Sequence, residues 1–137
     1  MRERDLQRLL ASDSNLLRRI DRELLFVQEE YATRVGRIDI LALKRGLPVG
    51  IELKTRTYNT NMVCGQLLKY ASVLEQKKGQ VYFVAPQVTQ GIHELFDKDR
   101  RVHLFTFDKD LRFYNVRGRK KRLLDLPQPR SLVHKYV

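Results

Sequence analysis

Between Gly36 and Lys54 the chain reads as two short aliphatic runs separated by a polar break. Ile38, Ile40, Leu41, Ala42 and Leu43 make the first run, and Val49, Ile51 and Leu53 the second. Runs of this length, rich in Ile, Val and Leu, predict two β-strands joined by a tight turn. Three charges interrupt them: Asp39 in the first, Glu52 and Lys54 in the second. Strands of this composition rarely carry charge at their centres, so the hairpin is where the pattern departs from a plain core.

The flanking pattern supplies the other elements. Leu6, Leu9 and Leu10 recur at helical spacing and predict a helix over 2–11. After Ser12-Asp13, Ser14 or Asn15 is expected to cap a second helical stretch through Ile20. Leu24 to Thr33 reads as a strand, and Gly36 as a bulge or a close backbone approach. Asn59, Thr60 or Asn61 would cap a helix running to about Lys77, with Val63, Leu67, Tyr70 and Leu74 as its apolar stripe. Lys77-Lys78-Gly79 has the basic end and C′ glycine of a helix terminus. Val81 to Ala85 is continuously apolar, as a central strand buried on both faces should be. A strand reached through a helix is expected to lie parallel to its neighbour. Thr89 or Gln90 opens a short helix to about Lys98, Val102–Phe107 is a strand, and 111–116 pairs with it.

The register of the charged hairpin decides where Asp39 points. Alternation puts Glu52 and Lys54 on one face and Ile51 and Leu53 on the other. If Arg45-Gly46 is a two-residue turn, Asp39 stands across from Glu52; if the loop is 45–48, Asp39 faces Lys54 with Glu52 diagonal. Pro48 favours the longer loop, because proline cannot donate to a ladder. Either even-length loop gathers all three charges on one face.

Two carboxylates on one face repel, and a hard divalent cation resolves the conflict. Mg²⁺ takes oxygen ligands and commonly only one or two carboxylates, with water and substrate phosphate completing the shell. The Asp39 and Glu52 carboxylates and the Leu53 carbonyl would form one edge of such a site, with Mn²⁺ able to substitute. Lys54 would orient water or stabilise charge on a phosphate. The plain alternative is a surface ion cluster in which Lys54 only neutralises Glu52.

Composition narrows the class. With 137 residues, 42% hydrophobic and 31% charged, the chain is one globular domain, 1–137, rather than a disordered one. No apolar run approaches the ~20 residues that span a bilayer, and no signal peptide is visible, so a cytoplasmic location and no membrane partner are expected. A single cysteine, Cys64, excludes an internal disulfide, and three scattered histidines disfavour zinc. The net charge of +11 favours a polyanionic partner. Arg117-Gly118-Arg119-Lys120-Lys121-Arg122 is the densest basic run, a candidate phosphate clamp or a solvated tail, at the start of a basic segment 117–137.

Asp39, then a dozen residues, then Glu52-Leu53-Lys54 resembles the PD-(D/E)XK nuclease superfamily. Gly36-Arg37-Ile38-Asp39-Ile40-Leu41 followed by Ile51-Glu52-Leu53-Lys54 is similar to the metal site of its RecB-like branch, and most closely to the C-terminal nuclease domain of the archaeal NucS endonucleases. Gln66-Leu67-Leu68-Lys69-Tyr70 matches that family's QxxxY motif, and Val84-Ala85-Pro86 its next strand end. The likeness covers roughly residues 1–107. Ile38 stands where the superfamily's eponymous proline would be, and the family's N-terminal DNA-binding domain is missing from the likeness.

The resemblance implies an α/β, restriction-endonuclease-like fold with a mixed central β-sheet of five or six strands flanked by α-helices. It implies a Mg²⁺-dependent DNA nuclease in which Gln66 reaches the metal-bound water or Lys54, Tyr70 reaches toward DNA, and a first-helix glutamate, here Glu3, approaches the site. Glu30 is a further acidic candidate. Arg37, Arg56 and Lys69, with Arg117, Arg119, Lys120, Lys121 and Arg122, are the expected nucleic-acid contacts. Branched, flapped or single-strand-containing DNA is the expected substrate, and a homodimer is left open. A Holliday-junction resolvase is the runner-up within the class, and a non-catalytic nucleic-acid-binding module the alternative outside it.

Overall fold

The structure is a computed structural model, and it describes residues 1–116. The elements follow in the order α1 (Glu3–Ser12), α2 (Ser14–Ile20), β1 (Leu24–Thr33), β2 (Gly36–Lys44), β3 (Leu47–Leu53), α3 (Thr60–Glu75), β4 (Gln80–Ala85), α4 (Gln90–Phe96), β5 (Val102–Phe107) and β6 (Phe113–Asn115). The strands form one six-stranded sheet in sequence order. β1, β2 and β3 are antiparallel neighbours, β3, β4 and β5 run parallel, and β6 returns antiparallel to β5. The restriction-endonuclease-like α/β expectation holds. Among the described residues no helix is long and apolar enough to cross a membrane.

Each sheet face buries its own core. On one face Leu67, Tyr70, Ala71 and Leu74 of α3 and Ile92 and Phe96 of α4 pack on Val81, Phe83 and Leu104. On the other, Leu6 and Leu10 of α1 and Leu16, Leu17 and Ile20 of α2 cover Ile40, Ala42, Val49, Ile51 and Leu53. β4 contributes Phe83 to one core and Tyr82 and Val84 to the other, which is why its sequence shows no alternation.

Several local expectations are corrected. α2 is capped by Asp13, whose carboxylate accepts the N–H groups of Asn15 and Leu16, and not by Ser14 or Asn15. At the end of α3 the left-handed residue is Lys78 (φ 59°), not Gly79. Gly79 is required for another reason: a Cβ there would lie 2.6 Å from the Pro48 carbonyl oxygen. β6 is shorter than expected, because Leu111 (φ 53°) belongs to the turn that Asp108 closes by accepting from the Asp110 and Arg112 N–H groups.

The charged hairpin has the two-residue turn, not the longer loop that Pro48 suggested. Lys44 pairs with Leu47 and Leu43 with Pro48, and both Arg45 (φ 53°) and Gly46 (φ 81°) are left-handed. Proline is tolerated because the pair next to the turn-closing one exchanges no ladder bonds, so the Pro48 nitrogen faces away from β2. On that far side β4 first pairs at Val49, one residue later. The Arg45 side chain makes a two-pronged ion pair with Glu23, at 2.6 and 3.0 Å.

Beyond this register β2 changes face. Ile40 and Ala42 point into the α1 core, whereas Ile38 packs against α3. The reversal falls at Asp39, and across from it, between the Glu29–Ile40 and Tyr31–Ile38 pairs, Glu30 is left-handed (φ 50°). The β1–β2 arm therefore bends over α3, where Gly36 lies under Tyr70.

Candidate active site

The bend opens a gap in the ladder that Asp39 fills. Pairing of β2 with β3 ends at Ile40–Ile51, one step short of Asp39 and Glu52. The Leu53 N–H, left without a β2 carbonyl, donates instead to Asp39 Oδ2 at 2.8 Å. That bond fixes the Asp39 carboxylate beside β3 and leaves its second oxygen uncommitted to this contact. Glu52 is only 5% exposed, and its Oε1 has no hydrogen-bond partner among the described residues. Lys54 Nζ lies 3.9 Å from Glu52 Oε2 and 3.6 Å from Glu3 Oε1. The first helix thus reaches the end of β3, where the Lys54 N–H is tied to the Val84 carbonyl of β4 at 2.9 Å.

Electrostatically the site is acidic inside a basic chain. Burial first, then the Asp39 charge, pushes the Glu52 carboxyl up to about 8, with Lys54 opposing. Asp39 is pushed up to about 6, chiefly by burial and then by the charges of Glu3 and Glu30, against the pull of the Leu53 N–H and Lys54. A buried carboxylate oxygen with no donor costs free energy that a folded chain rarely leaves uncompensated. Two carboxylates whose protons are held too tightly, one with an orphaned oxygen, fit a hard divalent cation with open positions. Among the described residues no group of three or more His, Cys, Asp or Glu side chains is placed to hold a metal ion.

The remaining sequence candidates fall as follows. Tyr70 is 4% exposed, and its hydroxyl donates to the Arg37 carbonyl at 2.8 Å. Burial and then the Glu52 and Asp39 charges push its phenol up to about 12, so it stays a donor. Gln66, one turn earlier on α3, is half-buried. Arg37, Arg56 and Lys69 are exposed, on β2, on the loop after β3 and on α3. Arg117, Arg119, Lys120, Lys121 and Arg122 lie outside the described residues. Glu30 is exposed, and its charge reaches both Asp39 and Glu52. Sequence reasoning missed Gln7, a buried amide on α1 that donates to Glu29 Oε1 at 3.1 Å and ties the helix to the acidic end of β1. Its only signal is a polar residue beside Leu6 on the apolar side of the helix.

The family described as endonuclease NucS C-terminal domain matches residues 2–124. Among solved structures, the fold is similar to a repair endonuclease from Pyrococcus abyssi, with 21% identity and a TM-score of 0.65 over 79% of this chain and 47% of that one. It is also similar to EndoMS in a complex with dsDNA, at 25% identity and a TM-score of 0.63 over 74% of this chain and 42% of that one. For EndoMS in its apo form the identity is 23% and the TM-score 0.61, over 79% and 47%. This chain spans less than half the length of each of these relatives. No protein of curated function matches it significantly. Asp39 on β2, Glu52 on β3 and Lys54 just after β3 lie within the matched span, and the chain belongs to the NucS C-terminal endonuclease domain family.

Proposed function

We propose that this domain is a metal-dependent DNA nuclease that hydrolyses phosphodiester bonds, acting on branched, flapped or single-strand-containing DNA. One observation carries the reading: a buried Glu52 oxygen, without a partner among the described residues, lies near Asp39 and beside the Lys54 ammonium. Family membership supports it, as do the solved relatives, one described as a repair endonuclease and another as a complex with dsDNA. Asp39 and Glu52, with the Leu53 carbonyl, would hold Mg²⁺, and Mn²⁺ suits the same hard oxygen donors. When bound, the cation supplies Lewis-acid stabilisation of charge on the phosphoryl oxygens.

The chain's own residues do the rest. Water adds to phosphorus in line with the departing ester oxygen, one P–O bond forming as another breaks. The Lys54 ammonium offsets the charge that grows on the phosphoryl group and orients the attacking water. Glu3 steadies that ammonium from α1. Asp39 is held beside β3 by the Leu53 N–H. Exposed Arg37, Arg56 and Lys69 are proposed to meet the DNA backbone, which positions the substrate without reading bases. A panel of flap, splayed, four-way and linear DNA incubated with Mg²⁺ tests the proposal. Single cuts at flaps or single-strand junctions support it, and paired symmetric nicks on four-way junctions would make the domain a resolvase. DNA binding without any cut by wild type would leave a binding module.

A further inference from the structure

Among the described residues the bent β1–β2 arm meets α3 through apolar packing of Tyr31 and Ile38 and through two hydrogen bonds, and these contacts differ in kind. Ile38 is fully buried beside α3, which anchors the arm but does not set its rotation. Arg34 reaches Gln76 Oε1 at 3.4 Å on the exposed surface, a contact too long and too solvated to hold a backbone in place. The directional tie is the Tyr70 hydroxyl, which donates to the Arg37 carbonyl at 2.8 Å, two residues before Asp39. It fits because residue 36 has no side chain: a Cβ on Gly36 would sit 3.1 Å from the Tyr70 oxygen, and its φ of 141° suits glycine. On the far side of Asp39 the chain is pinned again by the Ile40–Ile51 pair. Ile38 and Asp39 thus lie between two tied points, Arg37 and Ile40, and the first of these is held by a phenol.

We propose that Tyr70 is a positioning residue: its bond to Arg37, admitted by Gly36, sets the bend that aims the Asp39 carboxylate at Leu53 and Glu52. The inference rests on the reading of Asp39 as part of the active site. A direct role for Tyr70 on DNA fits the geometry poorly, because the side chain is buried and its hydroxyl donates to backbone. Phenylalanine at this position keeps the packing and removes only the donor.

Amide hydrogen exchange in the full chain, without cation or DNA, tests the proposal apart from any activity. The Leu53 N–H reports the Asp39 contact directly. In Y70F its exchange is expected to quicken about tenfold, while the amides of Val81 and Phe83 in central β4 keep their protection. Cleavage at saturating flap DNA with Mg²⁺ is expected to slow about tenfold with unchanged DNA affinity, because a misaimed carboxylate weakens the chemical step and not binding. Unchanged Leu53 exchange, or equal acceleration at all amides, would overturn the proposal. So would weaker DNA binding with the saturated rate intact, which would make Tyr70 a substrate contact. If wild type cuts no DNA, the functional reading fails while the Leu53 comparison still decides the role of Tyr70.

Discussion

Glu3 Oε1 stands 3.6 Å from Lys54 Nζ, so the first helix and the end of the third strand share one ion pair across the mouth of the site. The glutamate is about half exposed, and solvent screens such a pair. Replacing it with glutamine should therefore change stability by no more than about 0.5 kcal/mol. Its effect on cleavage should be larger, roughly tenfold in the single-turnover rate, because Lys54 loses the anion that holds it beside Glu52. Thermal melts and single-turnover assays on E3Q make the comparison. A large melting shift with normal cleavage would place Glu3 in the fold and not in the chemistry.

The carboxylates predict an inverted pH response for the cation-free protein. Glu52 has an ordinary value of 4.5 and is held up near 8 in the folded chain. Between those values the folded state keeps a proton that the unfolded state has released. Stability therefore falls as pH rises through this window. Asp39 adds to the trend below about 6. Denaturant melts with chelator at pH 5, 6.5 and 8 should show the loss. E52Q should flatten most of it, and Mg²⁺ should restore wild-type stability at pH 8.

Two glycines offer a test of the packing that places the site. A Cβ on Gly50 would meet Leu74 Cδ1 at 2.8 Å and Ile38 Cδ1 at 3.0 Å, both ends of flexible side chains. A Cβ on Gly79 would meet the Pro48 carbonyl at 2.6 Å, which is backbone and cannot step aside. G79A is expected to destabilise by about 2–3 kcal/mol, near the upper end of overpacking costs, and G50A by about 1 kcal/mol. Because Gly50 faces Ile38, G50A should also lower cleavage more than its stability change suggests. Chemical denaturation of both variants checks the order.

The sequence made much of this legible. Periodicity located the helices and strands: Leu6 and Leu10 enter the core and the unbroken run Val81–Ala85 serves both sheet faces, whereas Leu9, read on the same stripe, is exposed. The charges at 39, 52 and 54 marked the candidate site because they break an apolar pattern. What escaped was conformation set from outside the segment. The reversal at Asp39 depends on α3, a helix more than twenty residues away in the chain. Tyr70 looked like a core residue or a DNA contact; the hydrogen bond to Arg37 became visible only once the arm was seen to fold over it.

Calorimetric titration of Mn²⁺ into the full chain and into E52Q, at pH 8 with flap DNA present, tests the central claim most directly. Uptake by the wild-type protein that disappears in E52Q is the expected result. Equal uptake by both proteins, or none by the wild type, would contradict the assignment of Glu52 and Asp39 as a cation site.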